Sequence, residues 1–168
     1  MEQITETQLK LRDAGNQMKL AWANCGDEDV FRSCVNAYIS HARSVTFLMQ
    51  KESSGNPELV EWYEKRMEEL KQLLIMKFFN EQRVHIIHRG IVKPVSHSFP
   101  VNDLTFEGKN LGKGTVTTYV FSDAHKYIPN SNGNVGKLCE QYFTILKTLV
   151  HQWKAQKAWL ELPEENAK

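Results

Sequence analysis

The sequence lacks the features that mark membrane, disulfide-rich and zinc-binding proteins. No apolar run approaches the ~18 residues of a membrane-spanning helix, because Lys77 interrupts the longest one, Leu73 to Phe79. The three cysteines are odd in number and include no CxxC pair. Residues 1–10 have neither the apolar core of a signal peptide nor the composition of a transit peptide. We therefore expect a cytoplasmic protein with reduced thiols and no membrane contact.

A strong charge of either sign is also missing. The 21 basic and 20 acidic residues leave a net charge of +1, which is not the balance of a non-specific nucleic-acid binder. Any contact with nucleic acid must then come from a local patch. The length of 168 residues suits a single domain, 1–168, that buries a core without disulfides or metals.

Helical periodicity dominates the chain and predicts a mainly α fold, a bundle of four to five helices. Apolar residues recur at steps of three and four, most clearly from Val135 to Trp153, and we interpret these stripes as core. Helix starts are predicted near Asp27, at Asn56 followed by Pro57, and after Asn134. The helix that starts at Pro57 is expected to reach His88, with a kink near 77–80, and Gly90 is the predicted stop.

The pattern changes over about 91–129, where prolines and glycines break helices. Thr115 to Phe121 is rich in β-branched and aromatic residues, which predicts a strand. Leu104 to Glu107 is expected to pair with it across a turn at Gly108 to Gly114. The sequence therefore predicts a small β-hairpin inserted before the last long helix. A phosphate-binding loop at 108–115 is disfavoured by its spacing and by the strand that follows it.

One window is free of acidic residues, from Gln82 to Asn102. Its basic and titratable side chains are Arg83, His85, His88, Arg89, Lys93 and His97. Such a run creates a local positive field whose natural ligands are phosphates. Chance remains the alternative explanation, because short charge-skewed windows are common.

Arg83 and His88 do not share one face of a straight helix. Five residues at about 100° each place the two side chains about 140° apart. Two copies of the helix meeting in a homodimer would bring each arginine close to a histidine of the other copy. We therefore expect a homodimer. His85 and His88 do share a face, but the sequence contains no HExxH motif, so we expect no metal site and no cofactor.

The stretch Arg83-Val-His-Ile-Ile-His88 resembles the signature of HEPN domains, an arginine followed after four to six residues by a histidine near the end of a bundle helix. The resemblance covers mainly residues 28–90. It implies a metal-independent endoribonuclease of a toxin–antitoxin or phage-defence system, with RNA as substrate and an antitoxin or other protein as partner. It also implies that His88 transfers protons around the RNA 2′-hydroxyl while Arg83 stabilises charge on the phosphoryl oxygens.

Supporting or RNA-binding roles are expected for His85, Arg89, Asn36 and Arg43, the last two on the preceding helix. Ser40 and Ser44 lie on the same polar line as Asn36, and we attribute these two small residues to close helix packing. Val84 stands where many active HEPN members carry a polar residue. The alternative is therefore a catalytically inactive bundle that binds nucleotide, RNA or protein, and a purely structural interaction domain is the third reading.

Overall fold

The computed structural model describes residues 4–161, apart from the side chain of Phe106, and is mainly helical. Five α-helices and one two-stranded antiparallel hairpin follow in the order α1 (Glu6–Ala23), α2 (Glu28–Ser53), α3 (Pro57–Lys71), α4 (Leu74–Arg89), β1 (Val95–Phe106), β2 (Lys109–Val120) and α5 (Val135–Leu160). The predicted fold class, a helical bundle with a hairpin before the last long helix, is confirmed. Within the described residues no helix is both long and apolar enough to cross a membrane.

Capping side chains set the helix starts where the sequence predicts them. The Asp27 carboxylate accepts hydrogen bonds from the backbone of Asp29 and Val30 at the start of α2. The Asn56 side chain accepts from the Leu59 amide, and Pro57 occupies the first turn of α3. At α5, Asn134 accepts from the backbone of Lys137. These contacts satisfy amide groups that a helix leaves unpaired at its first turn.

The predicted kink at 77–80 is wrong. The chain breaks earlier, at Gln72 and Leu73, where Leu73 has extended backbone angles (φ −71°, ψ 126°) and separates α3 from α4. Lys77 lies on the exposed side of α4, and the helix continues unbroken through this position. The lysine therefore interrupts the apolar sequence without breaking the helix. The break lets α4 turn Phe78 and Phe79 into the core. Gly90 ends α4 with φ of 103°, which confirms the predicted stop.

The hairpin is longer than the sequence predicts, and its turn lies elsewhere. Each strand has 12 residues, and the chain reverses at Glu107 and Gly108, both with positive φ (48° and 76°). The turn predicted at Gly108 to Gly114 is therefore wrong, since most of that segment belongs to β2. The register of the two strands shifts between Val101 and Thr105 of β1, opposite the glycine-rich first half of β2.

The hairpin is attached to the bundle at its base. The Tyr119 ring stacks on Phe31 with centroids 3.7 Å apart, and its hydroxyl donates to the Cys25 carbonyl at 2.7 Å. Gly133 has φ of 70°, and a Cβ there would lie 2.4 Å from the Phe121 carbonyl oxygen, so glycine is required where β2 joins α5.

Two groups of buried apolar side chains form the core. The first combines α1, α4, the hairpin base and the N-terminal halves of α2 and α5; the second combines α3 with the C-terminal halves of α2 and α5. The stripe predicted for α5 is buried at Leu138, Tyr142, Leu146 and Trp153, which confirms its interpretation as core.

Candidate functional site

A cleft of about 570 Å³ opens between α2, α3 and α4, and two arginines face it. Its lining residues are Arg43, Ser44, Phe47 and Gln50 from α2, Tyr63, Glu64, Met67, Glu68 and Lys71 from α3, and Arg83 from α4. We call it the arginine cleft. It depends on the break at Gln72 and Leu73, because that break lets α4 pack beside α2 while α3 forms the opposite wall.

The two arginines are held differently. The Arg43 Nε donates to Asn80 Oδ1 at 3.3 Å, and its Nη1 donates to the Thr46 hydroxyl, so its guanidinium is positioned by protein contacts. Within residues 4–161 no hydrogen bond or ion pair engages the Arg83 guanidinium. Arg83 is half-buried. The α2 and α4 walls thus present one fixed and one unengaged cation, a combination suited to an oxyanion ligand.

The α3 wall carries the opposite charge. Glu68 forms an ion pair with Lys71 at 3.3 Å, whereas Glu64 forms no ion pair within residues 4–161. The Tyr63 hydroxyl donates to the Thr46 carbonyl at 2.9 Å, which fixes the ring at the cleft wall. An anion entering the cleft is therefore directed toward Arg43 and Arg83.

Both arginines also act on Tyr142 of α5. Burial raises the pKa of Tyr142 to about 12, while the positive charges of Arg43 and Arg83 oppose this rise. Burial likewise raises the pKa of Tyr38. These phenols are neutral at physiological pH, and Tyr142 is buried beside a neighbouring cavity that Arg43 also lines.

The raised pKa predicts a loss of stability in alkaline solution. An unfolded tyrosine ionises near pH 10, but Tyr142 in the folded chain resists ionisation up to about pH 12, so its stabilising contribution is complete below pH 10 and is lost as the pH rises toward 12. Tyr142→Phe should reduce the stability lost between pH 9 and pH 11 by about 1 kcal/mol. Urea unfolding at both pH values measures this. An equal loss in the parent and the variant would contradict it.

The structure does not place His88 in the arginine cleft. His88 is exposed and lies on the outer side of α4 between the exposed residues Val84, Ile87 and Ile91. Arg83 lines the arginine cleft and His88 does not, in keeping with the different helix faces predicted for the two residues.

His85 and Arg89 line a second cavity, of about 620 Å³, at the C-terminal end of α4, together with Lys93. We call this the α4-end cleft. The Gln82 amide donates to the Asp123 carboxylate at 3.0 Å along its wall. The acid-free window is therefore divided between two surfaces, with Arg83 on one and His85 and Arg89 on the other. His97 is exposed on β1, away from both lining sets.

Asn36 lines neither cleft, because its side chain is engaged by the backbone. Its Nδ2 donates to the Val92 carbonyl and its Oδ1 accepts from the Val92 amide, both at 2.8 Å, in a buried setting. It positions the segment that leads from α4 into β1. The hydroxyls of Ser40 and Ser44 donate to carbonyls four residues earlier in α2, so both side chains bond to their own helix.

Phe47, Tyr63 and Lys71 are among the side chains of the arginine cleft that sequence reasoning does not identify. A signal for Phe47 was present. The apolar stripe of α2 runs through Ala42, Val45 and Met49, all fully buried, and Phe47 falls off that stripe. Its ring is 66% exposed. No comparable signal marks Tyr63 or Lys71, since Tyr63 continues a core stripe and Lys71 is an ordinary surface residue.

The fold and the cleft together define a five-helix bundle with an arginine-lined surface between α2, α3 and α4. Residues 4–100 match the family model described as bacteriophage lambda protein ea47, which covers more than half of the chain, and the chain belongs to this family. No curated protein and no solved structure is significantly similar to it. The matched residues include all of α1 to α4 and hence both cleft arginines.

The resemblance to HEPN domains is wrong. The residues that suggested it, mainly 28–90, lie within the segment that matches the ea47 family. An arginine and a histidine five positions apart occur often by chance in helices, so the spacing carried little information. The roles that the resemblance implied for Arg83 and His88 no longer have a family to support them.

Proposed function

We propose that this protein binds RNA, with a phosphate group held in the arginine cleft between Arg43 and Arg83. The observation that carries the proposal is that Arg43 of α2 and Arg83 of α4 line the same open cavity. Arginine binds phosphate through paired donors, and within residues 4–161 Arg83 has no competing partner. Arg89 and Lys93 place further cations at the separate α4-end cleft, beside Asp123. A chain with several phosphates could contact both clefts, whereas a mononucleotide could not, which favours a polyanion.

Binding of an RNA oligomer should weaken about tenfold in Arg83→Gln at ~0.1 M salt, because a charge-assisted contact to phosphate is lost. The dependence of log Kd on log salt should also become shallower by about 0.7 for the one phosphate contact removed. Fluorescence anisotropy with a labelled oligomer over a salt series measures both quantities. Arg83 is the better position to change, because Arg43 also supports Asn80 and Thr46.

Arg66→Gln is the matched control. It removes the same charge from α3, where Arg66 pairs with Glu69 at 2.8 Å and lies over the Trp62 ring, outside the arginine cleft. If Arg83→Gln and Arg66→Gln weakened RNA binding equally, the effect would come from net charge alone. That result would contradict a phosphate site in the arginine cleft. Binding of single-stranded DNA as tightly as RNA would contradict the RNA assignment while leaving a phosphate site in place.

Cleavage of the bound RNA stays a prediction, as do a homodimer and a protein partner such as an antitoxin. If Arg83 and His88 acted together in cleavage, a second copy would have to bring them together, because His88 of the same copy does not line the arginine cleft. Binding without cleavage is therefore the function that we favour. We also propose a cytoplasmic location, in keeping with the free thiols of Cys25, Cys34 and Cys139.

A further inference from the structure

Phe47 is an apolar side chain that the fold does not use. Its ring is 66% exposed, whereas Val45 and Met49 on the same helix are fully buried. Exposed aromatic surface is unfavourable in water, and the ring takes part in none of the aromatic pairs found among residues 4–161. The ring is instead a free apolar surface at the rim of the arginine cleft.

The charges around Phe47 indicate which kind of ligand would bind at this apolar surface. Phe47 lies one helical turn beyond Arg43, and both line the cleft that Arg83 enters from α4. On the opposite wall Lys71 pairs with Glu68, which leaves Glu64 as the uncompensated charge that repels a second phosphate. A ligand with one anionic end and one flat, uncharged end fits this arrangement, its anion on the arginines and its flat part on the ring.

We infer that Phe47 is a stacking surface for an unpaired base, so that the arginine cleft takes single-stranded rather than double-stranded nucleic acid. The inference rests on the proposed function and specifies its substrate class. Bases stack on aromatic side chains when they are unpaired, whereas a duplex keeps their faces covered. The phosphate next to the stacked base lies on Arg43 and Arg83.

The test compares two labelled ligands of equal length: a single-stranded RNA of adenines and an abasic strand with the same backbone. Phe47→Leu, which keeps an apolar side chain but removes the ring, should weaken binding of the base-bearing strand about tenfold. The abasic strand should bind the parent and Phe47→Leu alike. Phe47→Tyr retains the ring and should retain binding of the base-bearing strand.

The outcomes separate the two proposals. If both strands bind with the Arg83 dependence described above and Phe47→Leu changes neither, the phosphate site stands and stacking on Phe47 is overturned. If Phe47→Leu weakens both strands equally, the ring serves the fold or the backbone contact, and the inference is again overturned. If neither strand binds the parent protein, the proposed function itself fails. A blunt RNA duplex that binds as tightly as the single strand would also overturn the inference.

Discussion

Phe79→Ala should lower the free energy of unfolding by about 3–5 kcal/mol, a large part of the stability of a domain of this size. Phe79 is fully buried, and its ring stacks on Tyr142 with centroids 4.4 Å apart and planes 7° from parallel. The rings of Tyr38 and Phe121 meet it edge-on at 6.2 and 6.1 Å. Alanine would leave a cavity among α2, α4, α5 and the hairpin base that these rigid rings cannot close.

Urea unfolding followed by circular dichroism measures the change, and Phe47→Ala is the matched control. It makes the same substitution on a helix, but the Phe47 ring is 66% exposed, so its removal should change the free energy of unfolding by no more than about 0.5 kcal/mol. Similar losses in the two variants would mean that Phe79 does not occupy the packed position described here.

Asn36→Leu should cost about 2–4 kcal/mol even though it preserves most of the side-chain volume. The substitution leaves both the amide and the carbonyl of Val92 buried without their present partners, and each such group costs about 1–3 kcal/mol. The loss should be concentrated in the segment between α4 and β1. Hydrogen exchange should accelerate at the Val92 amide more than in the middle of α5.

Asn16→Leu, at an exposed position of α1, provides the comparison and should stay within about 0.5 kcal/mol of the parent. Unchanged protection of the Val92 amide in Asn36→Leu would contradict the assignment of Asn36 as a clamp. It would also reopen a direct ligand-binding role for this side chain.

Local chemistry explains which parts of the fold the sequence predicts. Asp27, Asn56 and Asn134 act within three residues of their own positions, so their capping roles are visible without tertiary structure. The break at Leu73 is different, because an ordinary helix-forming residue adopts extended angles there to let α4 pack on α2. The hairpin turn was misplaced for a related reason, since Glu107 takes a positive φ that is usual for glycine.

The candidate site divides in the same way. The acid-free window draws attention to Arg83, but a window in sequence does not reveal which face of α4 each residue occupies after packing. Arg43 was an open candidate on α2, and only the folding of α2 beside α4 places it opposite Arg83. Asn36 also stood out as a polar residue near an apolar face, yet its partner Val92 is 56 positions away.

The lengths of α2 and α5 have a consequence for cooperativity. Each helix has 26 residues and is thus about 39 Å long, and each contributes side chains to both groups of core residues. If one half of the bundle unfolded alone, the helical structure of both α2 and α5 would have to end near the middle of each helix. Each new helix end would expose unpaired amide or carbonyl groups. We therefore expect the two halves of the bundle to unfold in one cooperative transition. The arginine cleft, between α2, α3 and α4, is an open surface of this cooperative unit.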